Sequence, residues 1–98
     1  MGEEKTMSEI IHDADKHRFL LRLDTVTAGF ADYRMRGDEV RIFYHTVIHP
    51  EFRGRGLSKT LIQAALENTR VAGLKVVPTC SAVAAFMEKD PQYNDIRA

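Results

Sequence analysis

Arg53-Gly54-Arg55-Gly56-Leu57-Ser58-Lys59 is the stretch best suited to chemistry, because it sets glycines and three cations where a helix is expected to begin. The first turn of a helix presents unpaired N–H groups and a partial positive charge, which Asp, Glu or a Ser/Thr cap normally answers. Here Arg53, Arg55 and Lys59 add positive charge instead. Glycines let a ligand come close to the backbone, so a phosphate or diphosphate would satisfy both the donors and the cations. Two familiar phosphate motifs do not fit. A P-loop needs Gly directly before its Lys-Ser/Thr pair, whereas Ser58 precedes Lys59-Thr60. The third glycine of a Rossmann fingerprint would fall on Lys59, and no acidic residue follows at the required distance. The simpler alternative is a surface turn that happens to be basic.

Two other side chains have usable chemistry. Cys80 follows an apolar run and stands at the start of a helical pattern, where the helix end favours thiolate over thiol. A lone intracellular cysteine is otherwise a small buried hydrophobe. His45 lies in a strand pattern, sharing a face with Phe43 and Val47, and an imidazole suits a general base near neutrality. His12, His17 and His49 form no motif, and one Cys with scattered His gives no metal-ligand spacing.

The elements that must position these groups follow from periodicity. Arg18 to Leu23 alternates Phe19, Leu21 and Leu23 with a set that includes the charged Arg18 and Arg22, the period of a half-buried strand. A turn over Asp24 to Thr27 leads to a second strand, Ala28 to Arg36, and Gly37-Asp38 turns into a third from Glu39 to Ile48. Pro50 stops it. A helix from Leu57 to Ala72 presents Leu57, Leu61, Ala64, Ala65 and Leu66, with Gly73 at its C-terminal cap. Leu74 to Pro78 reads as an interior strand, and Ser81 to Lys89 as a helix ended by Asp90-Pro91. A helical crossover makes the strands it joins parallel neighbours, and the glycine loop leaves the C-terminal end of one of them. The expected class is α/β: three antiparallel strands, the glycine-rich loop and helix, a parallel strand and a final helix.

Composition bounds the rest. The 98 residues carry 14 Lys/Arg against 14 Asp/Glu, which suits one small domain and invites neither nucleic acid nor an anionic membrane. A single cysteine cannot form an internal disulfide, and no segment has the apolar length of a signal peptide or membrane span. A reducing, cytoplasmic setting is therefore expected. Met1 to Thr6 formally matches an N-myristoylation pattern, but its acidic residues favour reading residues 1–8 as a flexible leader.

The run Val47-Ile48-His49-Pro50-Glu51-Phe52-Arg53-Gly54-Arg55-Gly56-Leu57-Ser58 resembles the acetyl-CoA signature of the GCN5-related N-acetyltransferases, with Ser58 in place of the usual last Gly or Ala. Tyr44-His45-Thr46, Val77-Pro78-Thr79-Cys80-Ser81 and the tail Asp90 to Ile96 extend the resemblance to a branch of about one hundred residues. It implies that acetyl-CoA is the cosubstrate. Backbone groups and cations of Arg53, Gly54, Arg55, Gly56, Leu57, Ser58 and Lys59 would hold the diphosphate, and the edge at Thr46, Val47 and Ile48 would hold the pantetheine amides. The thioester would then lie near His45 and Cys80.

Departures from the family pattern are equally legible. Larger members carry a Tyr on the last helix as general acid, but Phe86 and Met87 stand there; Tyr93 and Tyr44 are the substitutes on offer. Helices that usually cover the acceptor between the first two strands, and the C-terminal strands, have no counterpart. An open groove follows, suited to an amine on a protein or peptide or to help from another subunit. The resemblance implies an N-acetyltransferase acting by direct transfer with His45, or through an acetylated Cys80 assisted by His45. A non-catalytic acyl-CoA-binding module is the alternative, and a phosphopeptide- or nucleic-acid-binding loop a more distant one.

Overall fold

The computed structural model describes residues 8–98. The leader expected over residues 1–8, with its myristoylation-like pattern, lies outside the described residues except for Ser8. That residue begins a strand, β1 (Ser8–Asp13), followed by a 3-10 turn, Ala14–Lys16. Next come β2 (Arg18–Leu23), β3 (Val26–Arg36), β4 (Val40–Ile48), a 3-10 turn over Pro50–Phe52 and helix α1 (Leu57–Val71). Strand β5 (Lys75–Pro78), helix α2 (Ser81–Lys89) and a 3-10 segment, Pro91–Ile96, complete the order.

Among the described residues five strands form one sheet in sequence order, antiparallel from β1 to β4 and parallel between β4 and β5. The expected set of three antiparallel strands is thus four. In β1, Ile10 and Ile11 are adjacent and break the period-two signal, and an edge strand needs only one paired side. The link between the first two strands is consequently the turn over Ala14–Lys16, and the tight turn at Asp24, whose φ is 57°, joins the second and third. Neither link contains an α-helix.

Alternation places Phe19, Leu21, Ala31, Tyr33 and Phe43 on one face, where they meet Leu61, Ala65, Leu66, Val83 and Met87 from the two helices. The buried stripe of α1 runs Leu61, Ile62, Ala65, Leu66, Thr69, with Leu57 and Ala64 only partly covered. The tail after α2 closes against the core through Tyr93 and Ile96, both buried. It ends in a single parallel bridge, Arg97 to Val76, at the outer edge of β5.

Two irregularities shape β4. In the β3–β4 ladder Asp32 faces His45 but Tyr33 faces Phe43, so Tyr44 is an extra, unopposed residue: a β-bulge. The second is Gly29. A Cβ there would lie 2.6 Å from Ile48 Cδ1 and closer still to the Val47 carbonyl oxygen, so only glycine lets β3 and the end of β4 approach this closely.

Candidate functional site

Pairing between β4 and β5 runs from Val40–Lys75 to Phe43–Pro78 and then stops. The Phe43 carbonyl accepts from the Cys80 N–H at 2.9 Å and the Thr79 hydroxyl at 3.1 Å, closing off β5. Strand β4 continues to Ile48 with β3 as its partner strand. The bulge at Tyr44 falls immediately after the last β4–β5 pair, and a bulge bends its strand. The two strands therefore part at this point.

Beyond the parting is an open cleft of ≈ 340 Å³, running from Thr46, Val47 and Ile48 to Gly54, Gly56 and Ser58. Its far wall is the start of α1. The N-cap, Gly56, is left-handed at φ 73° and makes no side-chain cap bond, and the first turn has no acidic residue. Gly54 is also left-handed, at φ 83°, and a Cβ on either glycine would meet nothing within 4 Å. No backbone hydrogen bond engages the N–H groups of Gly54, Arg55 or Gly56 among the described residues. Donors with no partner around an open, glycine-lined cradle fit a diphosphate.

The expected cations divide on inspection. The Arg53 N–H is given to the Pro50 carbonyl at 3.2 Å and its Nε to the Ile48 carbonyl at 3.1 Å, so this residue braces the end of β4 as well as lining the cleft. Arg55 is exposed, its guanidinium 5.4 Å from the Phe52 ring centroid. Lys59 lies one turn further along α1 and lines an adjoining groove.

Cys80 and His45 are not brought together. Cys80 is the N-cap of α2, with its Sγ 3.5 Å from Thr46 Oγ1. Burial pushes its thiol up, yet the Thr46 hydroxyl and the backbone N–H groups of Val83, Ala82 and Thr46 outweigh this and hold the pKa below the ordinary thiol value. Thr46 opposes buried Ala31 and so points to the helix side of the sheet. His45 opposes Asp32, and its ring lies 5.9 Å from Phe30 on the other side. The expectation that His45 shares a face with both Phe43 and Val47 is half right, because the extra residue at Tyr44 puts Phe43 on the helix side. The signal missed was the bulge, which periodicity cannot register.

The surface around His45 is not covered by α1 or α2, which pack on the other face. Arg18 and Asp32 pair across it, with Nε to Oδ1 at 2.6 Å, and the Arg18 guanidinium sits 4.1 Å from the Phe30 centroid. Tyr44 is exposed here beside Arg34. Neither Met87 nor Tyr93 offers a proton to the cleft. Met87 is buried in the core, and Tyr93 is fully buried with its hydroxyl donating to Glu67 at 2.8 Å. Burial, then the Glu67 carboxylate, pushes the Tyr93 pKa up to about 12. Gly29, which packs behind the cleft residues Val47 and Ile48, carries a signal in the sequence, since a glycine inside a strand marks close backbone approach.

Residues 18–96 match the family model described as GCN5-related N-acetyl-transferase. Protein NATD1 of Gallus gallus is 28% identical over 88 residues, spanning 85% of this chain and 76% of its own. The solution structure of a GCN5-like protein from Staphylococcus aureus superposes with a TM-score of 0.70 at 25% identity, covering 92% of this chain and 87% of that one. An aminoglycoside N-acetyltransferase in complex with CoA aligns at TM-score 0.55 and 26% identity, covering 83% of this chain and 59% of that one.

Proposed function

The chain belongs to the GCN5-related N-acetyltransferases, and from that premise we propose that it binds acetyl-CoA in the cleft beyond the β4–β5 parting and transfers the acetyl group to an amine. The observation that carries the reading is the continuity of this cleft, from the edge of β4 at Thr46 to the bare start of α1 at Gly56. Thr46, Val47 and Ile48 offer a strand edge to the pantetheine amides, and the N–H groups from Gly54 to Ser58 hold the diphosphate.

Acetyl-CoA supplies an activated acyl carbon. His45, on the uncovered face, is placed to receive the proton of an incoming amine, directly or through water. Backbone N–H groups at the edge of β4 are suited to an oxyanion. Cys80 approaches the same edge from the helix face, where Thr46 and the start of α2 stabilise its thiolate without His45. The separation of the two side chains favours direct transfer with His45, and leaves Cys80 as a self-sufficient nucleophile in a covalent route. An acceptor carried by a protein or peptide suits the open face.

A second reading has its own support. Buried Met87 and the hydroxyl of Tyr93 held by Glu67 leave neither α2 nor the segment after it with a tyrosine acid turned to the cleft, as in a module that binds acyl-CoA without turnover.

The test is thermal unfolding with and without acetyl-CoA, in the native protein and in Gly56→Asp. Ligand at ~100 times its Kd adds ~2.7 kcal/mol, a melting shift on the order of ten degrees for a domain this small. Loss of the shift in Gly56→Asp, but not in the uncharged Gly56→Asn, supports the cleft. No shift in the native protein overturns it. Transfer to a peptide amine library that survives Cys80→Ala and fails in His45→Ala selects direct transfer. No transfer at saturating acetyl-CoA selects the binding module.

A further inference from the structure

A row of apolar side chains lies outside the core. Ile11 of β1 stands opposite Leu20 of β2, Leu20 opposite Phe30 of β3, and Phe30 opposite Val47 of β4. Residues opposed in a ladder share a face, so these side chains run straight across the sheet. The rings of Phe30 and His45 are 5.9 Å apart, which puts the row on the face the helices leave open. Each member is only half-buried, and none packs against the helix-side cluster. Across its strands the row is about 14 Å long. It ends at Val47, which also lines the cleft and shares its face with His45. Charges border the row without leaving an excess. On one side Asp13 stands opposite Arg18, and Arg18 opposite Asp32, whose carboxylate oxygens accept from it at 2.6 and 3.1 Å. On the other side Glu9 stands opposite Arg22.

We propose that this row seats the acceptor, and that the acceptor is a peptide presenting its α-amine followed by apolar residues. The proposal rests on the acetyl-CoA reading above. With the amine at His45, about four extended residues, at ~3.3 Å each, reach from Val47 to Ile11. Their side chains cover apolar surface that otherwise faces water. A polycationic acceptor finds no acid along this border without a guanidinium opposite it, so the charge pattern favours an uncharged body. An α-amine, with a usual pKa of ~8 against ~10.4 for a lysine side chain, gives up its proton to an imidazole more readily. In the transfer its nitrogen bonds to the acetyl carbon, the carbon–sulfur bond breaks, the amine proton passes to His45 and CoA leaves as thiolate.

Release of CoA thiol from saturating acetyl-CoA tests the assignment with defined amines. Two are short peptide amides sharing a free N-terminal alanine, one continued by valines and leucines and the other by serines and glutamines. An N-acetylated peptide with a single lysine and spermidine complete the set. For the apolar peptide kcat/KM should exceed that of the polar one by about tenfold or more, since burying one leucine-sized side chain is worth that much. Leu20→Asp sets a charge in mid-row, about 10 Å from β4, and should bring the apolar peptide down to the level of the polar one. Leu20→Ala, which deletes apolar surface without adding charge, should go part of the way, and both variants should keep the acetyl-CoA melting shift. Equal rates on the two peptides, faster transfer to lysine or spermidine, or a preference undiminished in Leu20→Ala overturns the proposal and leaves acetyl transfer standing. No transfer to any of these amines, by a protein whose melting temperature acetyl-CoA still raises, overturns it in favour of the binding module. Absence of that melting shift brings down the acetyl-CoA reading, and this proposal with it.

Discussion

The two ends of α1 are built on opposite principles. At the C-terminal end polar groups answer one another with the exception of buried Arg41 Nε: Arg41 Nη1 donates to Asn68 Oδ1 at 2.8 Å and Thr69 Oγ1 at 2.9 Å. Arg70 reaches Asp95 and the Gln92 carbonyl, and Tyr93 reaches Glu67. Gly73, left-handed at φ 77°, closes the helix. At the N-terminal end a glycine cap and open N–H groups, with no acidic residue in the first turn, face a cleft. A helix end whose groups answer each other serves the fold; one whose donors stand open has been left for something else.

The largest effect that would sharpen this contrast is expected from Tyr93→Ala, which empties a buried aromatic site at the satisfied end. Its cost is about 4 kcal/mol, read as a drop in melting temperature, with CoA affinity unchanged at temperatures where the variant is folded. Equal damage to both quantities would break the comparison. At the open end Gly56→Asp should do the reverse, weakening acetyl-CoA on the order of tenfold or more, since a carboxylate replaces the anion's place at the helix start. Its stability should fall by only about 1 kcal/mol, because Asp tolerates the left-handed region better than most residues.

A smaller effect belongs to Cys80, which borrows the start of α2. Its alkylation rate should rise with pH through a midpoint below the ordinary thiol value of 9.0, and Thr46→Val should move that midpoint upward. A midpoint at or above 9.0 in the native protein would mean that burial wins over the hydrogen bonds. The smallest effect returns to the satisfied end through His12, whose Nε2 lies 2.7 Å from the Tyr33 hydroxyl. Burial first, and then the Arg41 charge, lower its pKa from the ordinary 6.5. A histidine with a depressed folded pKa is protonated more readily when unfolded, so stability is lost as pH falls below 6.5. Urea midpoints measured across this range should decline toward acid in the native protein and less so in His12→Phe.

The uncapped start of α1 was legible because it is a local contradiction, cations and glycines at a helix start, and local contradictions need no tertiary knowledge. The last helix, ending at Asp90-Pro91, was legible for the same reason. Strand β1 was not, since Ile10-Ile11 carries no alternation and the strand forms because β2 offers Leu20 and Leu21 to pair with. Nor was the separation of His45 from Cys80. That depends on one unopposed residue, and a count by twos along β4 passes over it without notice. The locked proton of Tyr93 was beyond reach as well, because Glu67 stands 26 positions away in the chain.

Tyr44 has a consequence that can be put as arithmetic on chain length. Remove it, and Phe43 and His45 become neighbours in an unbroken ladder against Tyr33 and Asp32, each still on its present face. The register then has no reason to bend, and β4 can run on beside whatever follows Pro78. A chain of 97 residues would thus make the more regular sheet and have nowhere to receive a guest. On the proposed acetyl-CoA reading that room is an insertion of one, and its signature would be a deletion variant that melts no lower than its parent and ignores acetyl-CoA.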